Sequence, residues 1–345
     1  MNSSSYVTCL GLICAVGLEP EGAAAAIRAG VSGLTALPTV GNANEPIMGG
    51  AVPSIAASLH GRERVVEMLV QVLQACSGRA DGTFPLQRLP VLLCTAEPER
   101  PQARLAGLLP AVESRLGFSL AREGRRHLAR GHVAVFEALD LAHQAIGNGS
   151  SSACLVIAVD SMIDARNLLW LERAGRLKRG SRSDGVIPGE AAAVALVSKE
   201  PVSDSSLALR GVGAGQETAT VLNDAPQWGE GMKCAVAAAL RQAGIPMHEV
   251  AFRLSDASGE AYTFEDLALV QARLMSRTRE CQALWHPASS VGDCGAAAGL
   301  LQLAWIEQAF ARGYAPGTVA LAHSGSAGGA RAAAVFSGSR KGPRR

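Results

Sequence analysis

The chain of 345 residues is longer than one ordinary domain, so two domains or one large duplicated domain is expected. Its 48% hydrophobic and 18% charged content excludes a mostly disordered protein. A formal net charge of +2 and 4% aromatic residues leave no global field for nucleic acid or anionic membrane and few platforms for stacking bases.

The first apolar stretch, residues 6–16, reads as a strand. No Lys or Arg precedes Arg28, and Gly11, Gly17 and Pro20 break the apolar pattern, so no secretory signal is expected. A helix fits at 20–28 and another at 60–76, although 42–84 as a whole is weakly patterned. The pattern then predicts a strand at 91–95, helices at 101–115 and 132–147, and strands at 154–159 and 191–197. A short polar linker, 201–206, separates the halves. Beyond it come strands at 207–212 and 251–254, helices at 231–243, 263–275 and 293–311, and strands at 318–322 and 332–336. The expected organisation is therefore a half over 1–200, a half over 207–337, and a disordered basic tail over 338–345. The apolar run from Cys294 to Ile306 contains Gln302 and is too short to span a bilayer. Eight cysteines without a CxxC pair fit reduced, buried thiols in a cytoplasmic protein better than disulfides or zinc.

An internal repeat supports duplication. Gly131-His132 opens a helix that ends at Gly149 and leads to the strand from Cys154. Gly292-Asp293 opens one that ends at Gly313 and leads to the strand from Thr318. The strand starts are 164 positions apart, whereas His132 and Asp293 are 161 apart. The halves also close alike, with Gly189-Glu190 and then an Ala/Val run in one, and Gly328-Gly329 and then an Ala/Val run in the other. The second repeated helix is apolar all round, as for a central helix. The first is amphipathic, with Val135, Leu139, Ala142 and Ile146 on one face and Glu137, Asp140 and Gln144 on another.

These segments resemble the thiolase fold and, within it, the β-ketoacyl synthases. The opening strand, turn and helix, the stretch Asp184-Gly-Val-Ile-Pro-Gly-Glu-Ala-Ala-Ala193, and the loop His323-Ser-Gly-Ser-Ala-Gly-Gly329 carry the likeness over nearly the whole chain. The resemblance implies a duplicated α/β fold in five layers, α-β-α-β-α. It also implies a homodimer in which the strand at 154–159 pairs across the interface. Against the family pattern, His132 stands where the nucleophilic Cys is expected, Asp256 and Asp293 where two His are expected, Ala288 where a Lys is expected, and Gly325 and Ala327 where two Phe are expected. Those replacements imply that Cys-dependent condensation is lost, since two carboxylates would repel a developing enolate.

Several readings remain open for His132, Asp256 and Asp293. Asp293 can be a helix cap, Asp256 a turn residue and His132 a space-filler. Alternatively, His132 with a carboxylate is a general base that hydrolyses or transfers an acyl thioester, or the three hold a divalent ion. The helix N-terminus is expected to keep His132 neutral, a nearby carboxylate to charge it. Cys294 reads as packing, and His323, Gly325, Ala327, Gly328 and Gly329 as ligand-lining loop residues. Nothing in the sequence orients His286. Loss of the two rings at Gly325 and Ala327 either opens a tunnel mouth or lets neighbours collapse into the space. The basic run Arg173, Arg176, Lys178, Arg179 and Arg182 is a solvated face or a dock for an acidic carrier or a phosphate. No cofactor or metal enters the favoured reading. In that reading the protein is a non-condensing accessory that binds an acyl carrier protein, a CoA thioester or a protein partner, similar to the nucleophile-lacking partner subunits of ketosynthases or to accessory proteins encoded near type VI secretion effectors.

Overall fold

The computed structural model describes residues 5–40, 45–77, 85–101, 107–223, 225–278 and 280–338. The basic tail at 339–345 and part of the helix expected at 101–115 lie outside the described residues. In chain order the first half contains β1 (Ser5–Cys14), α1 (Pro20–Arg28), β2 (Leu34–Val40), β3 (Pro46–Gly50), α2 (Gly61–Ser77), β4 (Val91–Thr95), α3 (Leu108–Leu116), β5 (Arg126–Ala129), α4 (Ala134–Gly147), β6 (Ala153–Ser161), α5 (Ala165–Arg173) and β7 (Glu190–Ser198). The second contains β8 (Leu207–Gln216), α6 (Glu230–Ala243), β9 (Phe252–Ser255), α7 (Ala261–Leu274), β10 (Ala283–Trp285), α8 (Ala288–Val291), α9 (Ala298–Ala311), β11 (Val319–Gly325) and β12 (Ala330–Ser337).

Ten strands form one sheet in the order β5-β4-β6-β7-β1-β8-β12-β11-β9-β10. The order reads the same from both ends once β1, β4, β5, β6 and β7 are matched with β8, β9, β10, β11 and β12. Strand directions match too: the outer three of each half run parallel and the inner ones antiparallel. The halves join through a short antiparallel pairing of Ser5, Tyr6 and Val7 with Leu209, Ala208 and Leu207.

Layering follows from the side-chain period of two. On β6, Cys154, Val156 and Ala158 face the central core with α4 and α9, while Leu155, Ile157 and Val159 face the outer layer with α2 and α3. On the other half, Ala333 and Val335 of β12 face α6 and α7. Strands covered on both faces must be apolar throughout, which is why β6 and β7 are buried along their length. The five-layer α-β-α-β-α arrangement expected from the resemblance is therefore present.

The duplication is more regular than the sequence motifs suggest. Helices α4 and α9 are both 14 residues long and begin 164 positions apart, at Ala134 and Ala298. The glycines before and after them match at the same offset, with φ of 56° at Gly131 and 51° at Gly295, and 76° at Gly149 and 72° at Gly313. The counterpart of His132 is therefore Ala296, and Asp293 sits one turn earlier. The two helices meet where Val135 packs over its own counterpart: a Cβ on Gly299 would lie 2.7 Å from Val135 Cβ.

Several expectations need correction. The strand at 154–159 cannot pair across a dimer, because β4 and β7 already occupy both its edges; β5 is the edge of that half. The weakly patterned region contains β3, which pairs antiparallel with β2 ahead of it, and β2, β5, β10 and α5 are further elements beyond those expected. The basic run is largely tied down: Arg173 ends α5, Arg176 is bonded to Glu260, and Arg179 to Glu172.

The helix crossing yields a direct expectation. Gly299→Val inserts methyl groups where Val135 leaves no room, so it should destabilise the protein by roughly 1–3 kcal/mol. Urea denaturation should show a lower midpoint at unchanged slope.

Candidate functional site

The two central helices begin side by side, and the candidate site is built on those starts. Strand β5 ends at Ala129, and Gly131 enters the left-handed region at φ 56°, swinging the chain into a tight turn, Gly131–Val133, that presents His132. Only glycine fits at 131, since a Cβ there would lie 2.0 Å from Glu97 Oε1. The matching turn, Gly295–Ala297, precedes α9, and a Cβ on Gly295 would lie 2.0 Å from Asp160 Oδ2. A carboxylate thus lies against each helix start.

Between the starts, His132 Nε2 donates to Asp293 Oδ1 at 2.7 Å, and the same oxygen accepts from the Gly295 N–H at 2.9 Å. Asp160, at the end of β6, accepts from the Ala296 N–H at 2.9 Å through Oδ2 and holds Arg100 through Oδ1. Asp293 therefore caps only the Gly295 N–H, and Asp160 supplies the rest of the anionic cap. Asp256 follows β9, and its Oδ2 accepts from the Gly325 N–H at 3.0 Å. Ser326 Oγ donates to Arg130 O at 3.1 Å, tying the second half's last loop to the first half.

Charge is set by this packing. Burial pulls the His132 imidazole down, but the Asp293 carboxylate, aided by Asp256 and Glu97, outweighs it and holds the ring at about 10. Burial would likewise raise Asp293, yet His132, the Gly295 N–H and Arg100 bring it to about 2. Burial dominates at Asp256, which rises to about 6. The neutral imidazole expected from the helix N-terminus is therefore corrected: the carboxylate wins, and His132 is an imidazolium at neutral pH. Such a ring has no lone pair with which to act as a general base.

His132, Asp256, Asp293, Gly325, Ala327 and Gly328 all border one cavity of about 560 Å³. Arg176 and Glu260 cross its wall as a two-bond pair at 2.7 Å each, linking the first half to α7. His323 and Gly329 do not reach the cavity. His323 is buried in β11, where burial and Arg253 push its ring down to about 3, and Gly329 turns the backbone against Glu217 O. Space vacated at Gly325 is taken by a neighbour, because a Cβ there would lie 2.9 Å from Arg331 Cδ. Arg331 is itself fixed by Asp266 at 2.9 Å, Tyr262 at 2.6 Å and Ser326 O at 3.0 Å. Collapse, not opening, is the outcome on that side.

Cys294 is a packing residue. Its Sγ lies 3.6 Å from Gly292 O, and burial with Cys14 and Asp293 pushes the thiol well up. His286 stacks edge-on against Phe264 at 5.9 Å, away from the cavity. Among the described residues no three His, Cys, Asp or Glu are spaced to hold a metal ion. The sequence reading missed Glu97, Arg100, Asp160 and Arg331. A usable signal was the charged run after the 91–95 strand, since the carboxyl ends of parallel strands are where sites gather.

No family model matches the sequence, and no curated protein does either. Solved structures match along nearly the whole chain. One is AntDE:AntF, a type II polyketide synthase acyl-carrier protein in complex with its ketosynthase, with a TM-score of 0.82 at 14% identity, covering 98% of this chain and 100% of that one. Another is the ketosynthase ApeO with its chain length factor ApeC from Xenorhabdus doucetiae, at 0.75 and 15%, covering 98% of each chain. The ishigamide ketosynthase/chain length factor gives 0.69 and 18%, covering 97% of this chain and 99% of that one. The chain therefore has the thiolase-like ketosynthase fold. No helix among the described residues is long and apolar enough to cross a membrane.

The ion pair predicts a signature. Because the His132 ring sits at about 10 in the folded state against 6.5 for a free ring, its stabilisation is complete below pH 6.5 and lost as pH rises through about 10. Asp293, at about 2 against 3.8, contributes above pH 3.8 and loses its contribution as pH falls through about 2. NMR of the ring nitrogens should show His132 as a cation at pH 8, and Asp293→Asn should shift its titration downward.

Proposed function

We propose that the protein is a ketosynthase-like protein without condensing activity, acting as an accessory that binds an acyl ligand or a partner protein. The observation that carries this reading is the 2.7 Å bond between His132 and Asp293. A nucleophile or base needs a free lone pair, and the imidazolium has none; among the described residues no cysteine borders the cavity either. Decarboxylative condensation would develop negative charge beside Asp256 and Asp293, which already carry it.

What remains is a binding site. The cavity is large enough for an acyl chain with part of its carrier arm, and Met162, Trp170 and Leu222 give it apolar wall. Structures of the same fold include an acyl-carrier protein bound to a ketosynthase and ketosynthases paired with chain length factors. An acyl carrier protein, a CoA thioester, a ketosynthase-like subunit or a second copy of the chain are accordingly the proposed partners, in the cytoplasm. The edge strand β5 leads straight into the turn that presents His132. A partner added at that edge would stand beside the site. Thioester hydrolysis or acyl transfer through His132 with Asp256 and Asp293 ranks second, because it requires the ring to lose its proton first.

Intact-mass spectrometry decides between the two. Purified protein incubated with acyl-CoA or malonyl-carrier protein at pH 7.5 should remain unmodified and release no free thiol. A stable acyl adduct that disappears in His132→Ala would refute the binding reading.

A further inference from the structure

Arg100 holds the largest unspent hydrogen-bonding capacity in the cavity wall. It is 8% exposed, and its guanidinium is bonded to Asp160 only through Nη2. Among the described residues Nε and Nη1 are buried without a hydrogen-bond partner, and so is Nδ1 of His132. Buried donors left unpaired are rare in folded proteins and call for an acceptor. Arg100 Nη1 lies by the start of α9, where a Cβ on Gly295 would be 3.1 Å from it.

The charges around these donors restrict the acceptor. Asp160 is bonded to Arg100 and Asp293 to His132. Glu97 lies close enough to both cations for them to hold its carboxyl below the usual range, although burial opposes this. Asp256 borders the same space, and no hydrogen bond to its Oδ1 is present among the described residues. The cations are thus outnumbered by carboxylates, with Glu97 and Asp256 in excess. A further anion would meet net repulsion, whereas a neutral carbonyl brings lone pairs and no charge.

Resting on the binding reading above, we infer that Arg100 is the ligand-recognition residue of this cavity and donates to the neutral carbonyl of an acyl thioester or amide in preference to a carboxylate-bearing head such as malonyl. Met162, Trp170 and Leu222 then flank the hydrocarbon portion.

The test uses the full-length protein and two probes of similar size, the N-acetylcysteamine thioesters of butyrate and of malonate, titrated calorimetrically at pH 7.5. The butyryl probe should bind, and the malonyl probe should bind about tenfold more weakly or worse. Arg100→Lys, which keeps the charge but not the guanidinium donors, should weaken the butyryl probe by about tenfold. Because Arg100 is buried against Asp160, the double variant R100Q/D160N removes both charges together, with circular dichroism verifying its fold; it too should lose the butyryl probe. Unchanged butyryl binding in either folded variant, equal or tighter malonyl binding, or no binding of butyryl by the native protein would overturn the inference. Acyl transfer to His132 during the titration would instead overturn the non-condensing reading, so the two failures are separable.

Discussion

A single ion pair across the internal seam organises this molecule's chemistry. His132 comes from the turn that opens α4 in the first half, and Asp293 from the residues just ahead of the turn that opens α9 in the second. Duplication brings two helix starts together, and each start exposes unsatisfied N–H groups that attract anions. Here the anions are supplied by the protein: Asp293 and Asp160 bond the N–H groups of Gly295 and Ala296, and Glu97 packs on Gly131. One cationic ring set among these carboxylates stays protonated. The paired ring and its carboxylates form a fixed electrostatic framework at this end of the cavity.

That framework also stiffens the surroundings. Gly325 N–H is held by Asp256, Ser326 Oγ reaches Arg130 O across the seam, and Arg331 fills the volume beside Gly325 while bonding Ser326 O. The last loop is thus fastened from three sides, and Arg176 with Glu260 fastens the opposite wall.

Much of the fold was legible in the sequence because burial on both faces forces long apolar strands, and because the two glycine-bounded helices recur in order. Strand ends and helix ends 6–16, 20–28 and 91–95 agree with the structure to within two residues. Short elements escaped: β5 and β10 are four and three residues long, too brief to establish alternation, and β10 is only half-buried. At the site, His132 and Asp293 were identifiable from their places in the repeated motif. Their charge was not, since it depends on a 2.7 Å approach across 161 residues of chain. Arg100 and Asp160 were hidden for the same reason. Asp160 looks like an ordinary charged residue near a strand end, and Arg100 like one in the segment after β4, until the fold brings them together against the start of α9.

The most direct test of the central claim is to place a thiol at the seam. The His132→Cys variant, confirmed folded, is incubated with butyryl-CoA and with malonyl-carrier protein, and the introduced side chain is examined by mass spectrometry. If the carboxylates around that position make it unfit for acyl chemistry, the variant acquires no butyryl group and releases no carbon dioxide from the malonyl substrate. Acylation at position 132 followed by decarboxylation would show that the surroundings remain competent, and the account given above would be wrong.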